Sequence, residues 1–154
     1  MNAVTRAERA LVEAPTVSFR LDGREVTGRI DETIIEVAQR EGVAIPHLCY
    51  KPGLDAVGNC RACVVEVKGE RTLAASCCRH PQAGMEVSTA SERAVKAQQM
   101  VIEMLQSDLP EKDYTRHNEV DEWAHRLGVG KPRFEARGAV PADLSHAAIA
   151  VNMD

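Results

Sequence analysis

The first third of the chain alternates. Val17, Phe19 and Leu21 stand apolar between polar neighbours, Asp22-Gly23 follows, and Val26 and Ile30 resume the apolar series. Period-two alternation turns one face of a strand to a core, and Asp-Gly tolerates the left-handed backbone of a type I′ turn, so this stretch predicts a β-hairpin. The period then lengthens. Ile34, Ile35, Val37 and Ala38 share a helical face, with Asp31 or Thr33 as N-cap and Gly42 placed to end the helix. Pro46 through Gly58 reads as loop, with Pro52-Gly53 as a turn marker. Val64, Val65 and Val67 form a strand, turned at Lys68-Gly69-Glu70 into a second from Thr72 to Ser76, and Met85 and Val87 suggest a short last one. The order β-β-α-loop-β-β-β over residues 15–90 is α+β, a mixed sheet wrapped on one helix.

The pattern changes beyond that point. Thr89 with Glu92 forms a capping box, and Ala94, Ala97, Met100, Val101, Met104 and Leu105 make a helical stripe to about residue 107. A shorter helix is expected from Asn118 to Leu127, with Trp123 inward and Gly128 closing it. Four stretches follow from this reading: a mobile or docking extension over 1–14, the α+β domain over 15–90, a helical segment over 91–128, and an extended tail over 129–154. No internal repeat is present.

Composition narrows the classes. Hydrophobic residues make up 44% of the 154, but aromatics only 3%, namely Phe19, Tyr50, Tyr114, Trp123 and Phe134. The core must therefore rest on Val, Ile, Leu, Met and Ala. A net charge of −4 offers no basic stripe for nucleic acid and no polybasic membrane anchor. No apolar run approaches the roughly 20 residues of a spanning helix. The first fifteen residues lack the apolar core of a secretory signal, and Glu8 and Glu13 argue against a transit peptide. Five cysteines without such a signal suit a reducing compartment where thiolates bind metal, and the expected location is cytoplasmic.

Four of those cysteines, Cys49, Cys60, Cys63 and Cys77, are spaced C-x10-C-x2-C-x13-C, and Cys78 directly follows the last. A [2Fe–2S] rhomb needs four soft anionic ligands, two per iron, in a pocket that limits water. A C-x2-C pair supplies two from one turn of backbone, glycines such as Gly53 and Gly58 let a loop fold over the sulfurs, and a fourth ligand can come from a strand end. Spacing alone leaves zinc open: His47 and His80 lie near Cys49 and Cys78, although zinc sites usually carry two ligand pairs. A thioredoxin-like pair would sit at a strand–helix junction, whereas this C-x2-C leads into a strand. No nucleophile–base pair or paired carboxylates converge, so no catalytic residue is assigned.

The stretch PHLCYKPGLDAVGNCRACVVEVKGERTLAASCCRHPQAGMEV resembles the β-grasp [2Fe–2S] domain at the N-terminus of several large redox subunits. These are the complex I iron–sulfur subunit, the iron-only hydrogenases, and the α subunit of NAD-dependent formate dehydrogenases. The gap of ten, against four in plant-type ferredoxins, together with NCRACVVEV and the Gly-Met after the last cysteine, carries the resemblance. In that family the last ligand precedes Gly-Met by seven positions, which is Cys77 before Gly84-Met85. The resemblance therefore implies one [2Fe–2S] cluster, with Cys49 and Cys60 on one iron, Cys63 and Cys77 on the other, and Cys78 as a buried neighbour.

Complex I and the hydrogenases carry a further cluster through H-x3-C-x2-C-x5-C. Here His117 stands in place, but the cysteine positions read Asp121, Ala124 and Gly130, so a second cluster is not expected. His117, His125 and His146 are instead expected as surface or packing residues. The segments TRHNEVDEWAHRLGVGKPRF and DLSHAAIAVNMD resemble the α subunit of soluble molybdenum- or tungsten-containing formate dehydrogenases. There the equivalent of AIAVNMD leads into a C-x2-C-x2-C motif and the large catalytic domain. The resemblance implies an electron-transfer module between a flavin/NAD subunit, other iron–sulfur subunits and a metal-pterin site. The alternatives are the iron–sulfur subunit of an NADH dehydrogenase or NAD-linked hydrogenase, a free-standing ferredoxin, and a zinc-stabilised interaction domain.

Overall fold

A computed structural model of the chain describes residues 14–109, 118–135, 138 and 141–151. The expected extension (all but residue 14), Tyr114, His117 and the last three residues of the tail lie outside them. The chain divides into two compact units, one ending at Lys96 and one beginning at Ala97.

In the first unit, β1 (Thr16–Leu21) and β2 (Arg24–Arg29) form the expected antiparallel hairpin, pairing Thr16 with Arg29 and Leu21 with Arg24. Its turn residues Asp22 and Gly23 have φ of 50° and 80°, as a type I′ turn requires. The next elements are α1 (Ile34–Arg40), β3 (Val64–Val67), β4 (Ala74–Ala75) and β5 (Glu86–Ser88). The five strands make one mixed sheet in the order β2-β1-β5-β3-β4, with β1 and β5 parallel and the other pairs antiparallel. This is the expected α+β, ferredoxin-like architecture. Its core gathers Phe19 and Leu21 from β1, Ile34, Ile35, Val37 and Ala38 from α1, and Val65, Val67 and Val87 from the sheet.

The ends of α1 follow local chemistry. Glu36 accepts from both the N–H and the hydroxyl of Thr33, so Thr33 is the cap, while Asp31 pairs with Arg29. Gly42, at φ 75°, closes the helix, and the Val43 N–H reaches back to the Ala38 carbonyl. Ile30, expected to continue the apolar face of the hairpin, lies past the end of β2 and is 48% exposed.

Two expectations are corrected around the last strands. The strand foreseen from Thr72 to Ser76 is only Ala74–Ala75, because the chain coils immediately afterwards and the N–H groups of Cys78 and Arg79 return to the Ala75 carbonyl. Thr89 does not open the capping box with Glu92. Its N–H and hydroxyl both donate to the Asp22 carboxylate at 2.7 Å, which ties the hairpin turn to the end of β5. The N-cap of α2 (Glu92–Asp108) is Ser91, whose Oγ accepts from the Ala94 N–H.

The buried positions of α2 also depart from the expected stripe: Ala94, Gln98, Ile102 and Glu103 are buried, whereas Met104 is exposed. In the second unit α3 (Glu119–Leu127) is capped by Asn118, whose side-chain oxygen accepts from the Asp121 N–H, and ended by Gly128 at φ 67°. Trp123 and Ala124 are its buried residues. The tail, expected to run extended without periodicity, contains an antiparallel hairpin of β6 (Asp143–His146) and β7 (Ile149–Val151), all of it exposed. Among the described residues no helix is long and apolar enough to cross a membrane.

Candidate metal centre

All five cysteines are free thiols of the first unit, in the loop after α1 and next to the ends of β3 and β4. Cys49 and Cys60 lie close together and half-buried, the Cys60 N–H pointing at Cys49 Sγ from 3.5 Å. Burial on its own would raise the Cys60 thiol pKa. The backbone N–H groups of Cys49, Ala62 and Leu48, with the Cys49 thiol, donate to its sulfur and more than offset burial, so the pKa falls below the ordinary value. A sulfur with that many donors is prepared to carry negative charge.

The turn that supplies the Ala62 donor is strained. Arg61 lies at φ 60°, a left-handed conformation that costs a side-chain-bearing residue roughly 1–2 kcal/mol. That backbone reversal folds C-x2-C over its own first sulfur. Cys63 is consequently carried inward, 1% exposed, just before β3.

Cys77 is fully buried and in contact with the Cys63 thiol. Burial pushes its pKa far up, and the neighbouring thiols of Cys63 and Cys78 push it further, because a second negative charge there would face a first. A thiolate at this point needs a cation to compensate it. An iron held by Cys63 and Cys77 would supply that compensation, in exchange for the thiol protons.

What holds Cys77 in place has no signature in the sequence. The Cys63 carbonyl accepts two bonds from Ser76, one from its N–H at 3.1 Å and one from its buried hydroxyl at 2.8 Å. The first N–H groups of α1, on Ile34 and Ile35, donate to the Arg79 and Ser76 carbonyls. Helix N-termini carry N–H groups that the helix itself cannot satisfy, and here the coil around Cys77 satisfies them. The cysteine coil is thus fastened to the start of β3 on one side and to α1 on the other.

Cys60 stands against Cys49, and Cys77 stands against both Cys63 and Cys78, its sulfur 3.6 Å from that of Cys78. Among the described residues no group of three or more His, Cys, Asp or Glu side chains is gathered closely enough to hold a metal ion. His47 and His80 are both engaged through Nδ1, with the Ile45 and Glu32 carbonyls at 2.8 and 2.7 Å, and so are protonated there. Cys78, expected to be buried, is exposed: the coil turns Cys77 in and the next side chain out. The donor set fits a binuclear cluster of soft-ligand iron, two thiolates to each metal.

Of the positions where related chains would carry further cysteines, Asp121 exchanges hydrogen bonds with Asn118 at the start of α3, Ala124 is buried, and Gly130 is exposed. His125 and His146 are exposed, as expected of surface residues.

Comparison with known proteins bears on the family and the cofactor. The chain is 39% identical over 122 residues to the mitochondrial NADH-ubiquinone oxidoreductase 78 kDa subunit of Candida albicans, a match covering 77% of this chain and 17% of that subunit. It is 33% identical over 139 residues to the mitochondrial 78 kDa subunit of the same enzyme from Neurospora crassa, covering 87% of this chain and 19% of the relative. The chain thus spans less than a fifth of the length of these two relatives. The crystal structure of an NAD+-reducing [NiFe]-hydrogenase in its H2-reduced state contains a chain that superposes with a TM-score of 0.71 at 28% identity, covering 85% of this chain and 57% of that one. The family model described as a 2Fe-2S iron-sulfur cluster binding domain matches residues 14–92, and with the thiols of the first unit disposed as they are, the chain belongs to that family and takes a [2Fe–2S] cluster as its cofactor.

Proposed function

We propose that Cys49, Cys60, Cys63 and Cys77 hold the single [2Fe–2S] cluster, Cys49 and Cys60 on one iron and Cys63 and Cys77 on the other, and that the chain relays electrons. The observation that carries this reading is that Cys60 stands half-buried against Cys49 under several N–H donors, while Cys77 is buried beside the buried Cys63. A [2Fe–2S] cluster supplies one-electron transfer. The protein supplies four sulfurs, the N–H groups of Leu48, Cys49 and Ala62 that ease charge on Cys60, and the main-chain ties of Ile35 and Ser76 that fix the coil carrying Cys77.

The module serves a multi-subunit NAD-dependent oxidoreductase in the cytoplasm, with residues 15–90 as the cluster domain and 91–128 and 129–154 as helical and tail segments. Its partners are a flavin/NAD-binding subunit and other iron–sulfur subunits, since its relatives are named as NADH oxidoreductase subunits and an NAD+-reducing hydrogenase. Within that group our reading is the formate dehydrogenase α subunit, which adds a metal-pterin catalytic domain as electron source. Its support is the tail resemblance and the residues Asp121, Ala124 and Gly130 at the positions where complex I and the hydrogenases carry the cysteines of a further cluster. An NADH dehydrogenase or hydrogenase subunit is the second reading, favoured by the names of the relatives.

Anaerobic reconstitution with iron and sulfide tests the cluster assignment. The expected product is brown, contains two irons per chain, and gives a rhombic EPR signal on reduction. Colourless protein with stoichiometric zinc overturns it. Formate-dependent NAD reduction by the complex isolated from its native source, lost in Cys60→Ser, supports the formate reading; activity with NADH or H2 only supports the second.

A further inference from the structure

The fifth thiol has no part in the four-ligand set, yet it stands at the same pocket. Cys78 Sγ lies 3.6 Å from Cys77 Sγ and 3.9 Å from the Ala56 carbonyl oxygen. A Cβ on Gly58 would meet the Cys78 sulfur at 2.8 Å, so the loop leading to Cys60 lacks a side chain where that sulfur sits. The two neighbours differ in access: Cys77 is fully buried and Cys78 is exposed. A buried thiol cannot be the first to meet an arriving cluster, whereas an exposed thiol in contact with it can.

We propose that Cys78 is a loading ligand, which bonds the iron destined for the Cys63–Cys77 pair first and then yields it to Cys77. The inference rests on Cys77 being the resident fourth ligand. The exchange is thiolate for thiolate. Cys78 loses its proton to water and bonds the iron as one thiolate of a cluster-bearing carrier leaves and takes up a proton. Cys77 then bonds the same iron, Cys78 departs, and the Cys77 proton passes to the Cys78 sulfur it already touches. No electron changes hands, so no oxidant or reductant is needed.

Transfer of a glutathione-ligated [2Fe–2S] cluster to the full apo chain, followed by visible circular dichroism in stopped flow, tests this. Because exchange rates follow thiol access, Cys78→Ser should load about fivefold or more slowly than the unsubstituted chain. It should still reach the same final iron content and EPR spectrum. Release to an excess of chelator should slow by the same factor, since loading and release share one path. Equal loading rates overturn the proposal. So does slower loading with unchanged release, which would mean a weaker site instead of a slower path. Failure of Cys78→Ser to hold iron at the end point makes Cys78 a resident ligand and overturns the assignment of Cys77 as well. Failure of the unsubstituted chain to take the cluster overturns the functional reading itself.

Discussion

The two units of this chain secure their side chains by different means. In the first, the cysteine region is held largely by main chain: the Cys63 carbonyl takes the Ser76 N–H beside its hydroxyl, the Ser76 and Arg79 carbonyls take the first N–H groups of α1, and the Cys60 sulfur takes N–H groups from three residues. In the second, where β6 and β7 are also paired through main chain, ties between other stretches are made by side chains. Gln99 Nε2 donates to the Leu127 carbonyl, and Glu103 receives the N–H and the guanidinium of Arg133. Main-chain ties survive substitution and hold sulfurs to fractions of an ångström, which a metal cluster demands. Side-chain ties can be deleted one at a time. The first unit should therefore fail through its core or its thiols, and the second through single charges.

The sharpest break is Cys60→Ser. It removes the sulfur on which most donors converge, and the cluster should be lost or severely destabilised, as read by iron and sulfide content and visible absorption. Trp123, the sole tryptophan, lies in α3 and should keep its emission unchanged, because the second unit owes none of its described ties to that thiol. A shift in Trp123 emission would show that the contrast between the units is wrong.

Ile35→Ala comes next. Ile35 is fully buried in the core, and its N–H holds the Ser76 carbonyl. Alanine keeps that bond and removes the packing, so urea denaturation should show a loss of roughly 2–5 kcal/mol. The Cys77 coil is tied to this helix, so chelators should also strip iron faster.

Ser76→Ala is milder and more local. It leaves the Ser76 N–H on the Cys63 carbonyl and removes only the buried hydroxyl, a cost of about 1 kcal/mol. Faster iron release with nearly unchanged global stability is the expected result; equal release would mean that the hydroxyl does not hold the C-x2-C turn.

How much of this is legible in the sequence follows the same division. The hairpin, α1 and the ends of α3 are legible because Asp22-Gly23, Thr33 (one of two cap candidates), Gly42, Asn118 and Gly128 are local signals fulfilled locally. Thr89 misleads because its partner, Asp22, stands 67 residues away and enters through the fold. Ser76 carries no motif; its value lies in a carbonyl that only β3–β4 register brings near. The cysteine spacing points to the metal chemistry, but not to which of two adjacent thiols faces inward, which is decided by the coil after Ala75. The β6–β7 hairpin gives no such signal, because its turn is Ala147-Ala148, without the Gly or Asn that marks a tight reversal.

The smallest expected effect belongs to the second unit. The Arg133 guanidinium, and then the Arg133 N–H, hold the Glu103 carboxyl well below its ordinary value of 4.5, at about 2. A carboxylate whose pKa is depressed by folding contributes stability that is complete above its ordinary pKa and fades as pH falls toward the folded one. Glu103 should accordingly support its unit above its ordinary pKa and lose that support progressively between 4.5 and about 2. Other carboxyls titrate in the same window, so the informative quantity is a difference. Thermal melts of the unsubstituted chain and of Glu103→Gln, followed by Trp123 emission, should stand furthest apart near neutral pH and converge as pH approaches 2, because the protonated carboxyl has no more charge than the amide. A gap that stays constant across the range would mean that Glu103 acts by shape and neutral hydrogen bonding. In that case the second unit would not depend on charge, and the contrast with the main-chain-fixed first unit would fail at that point.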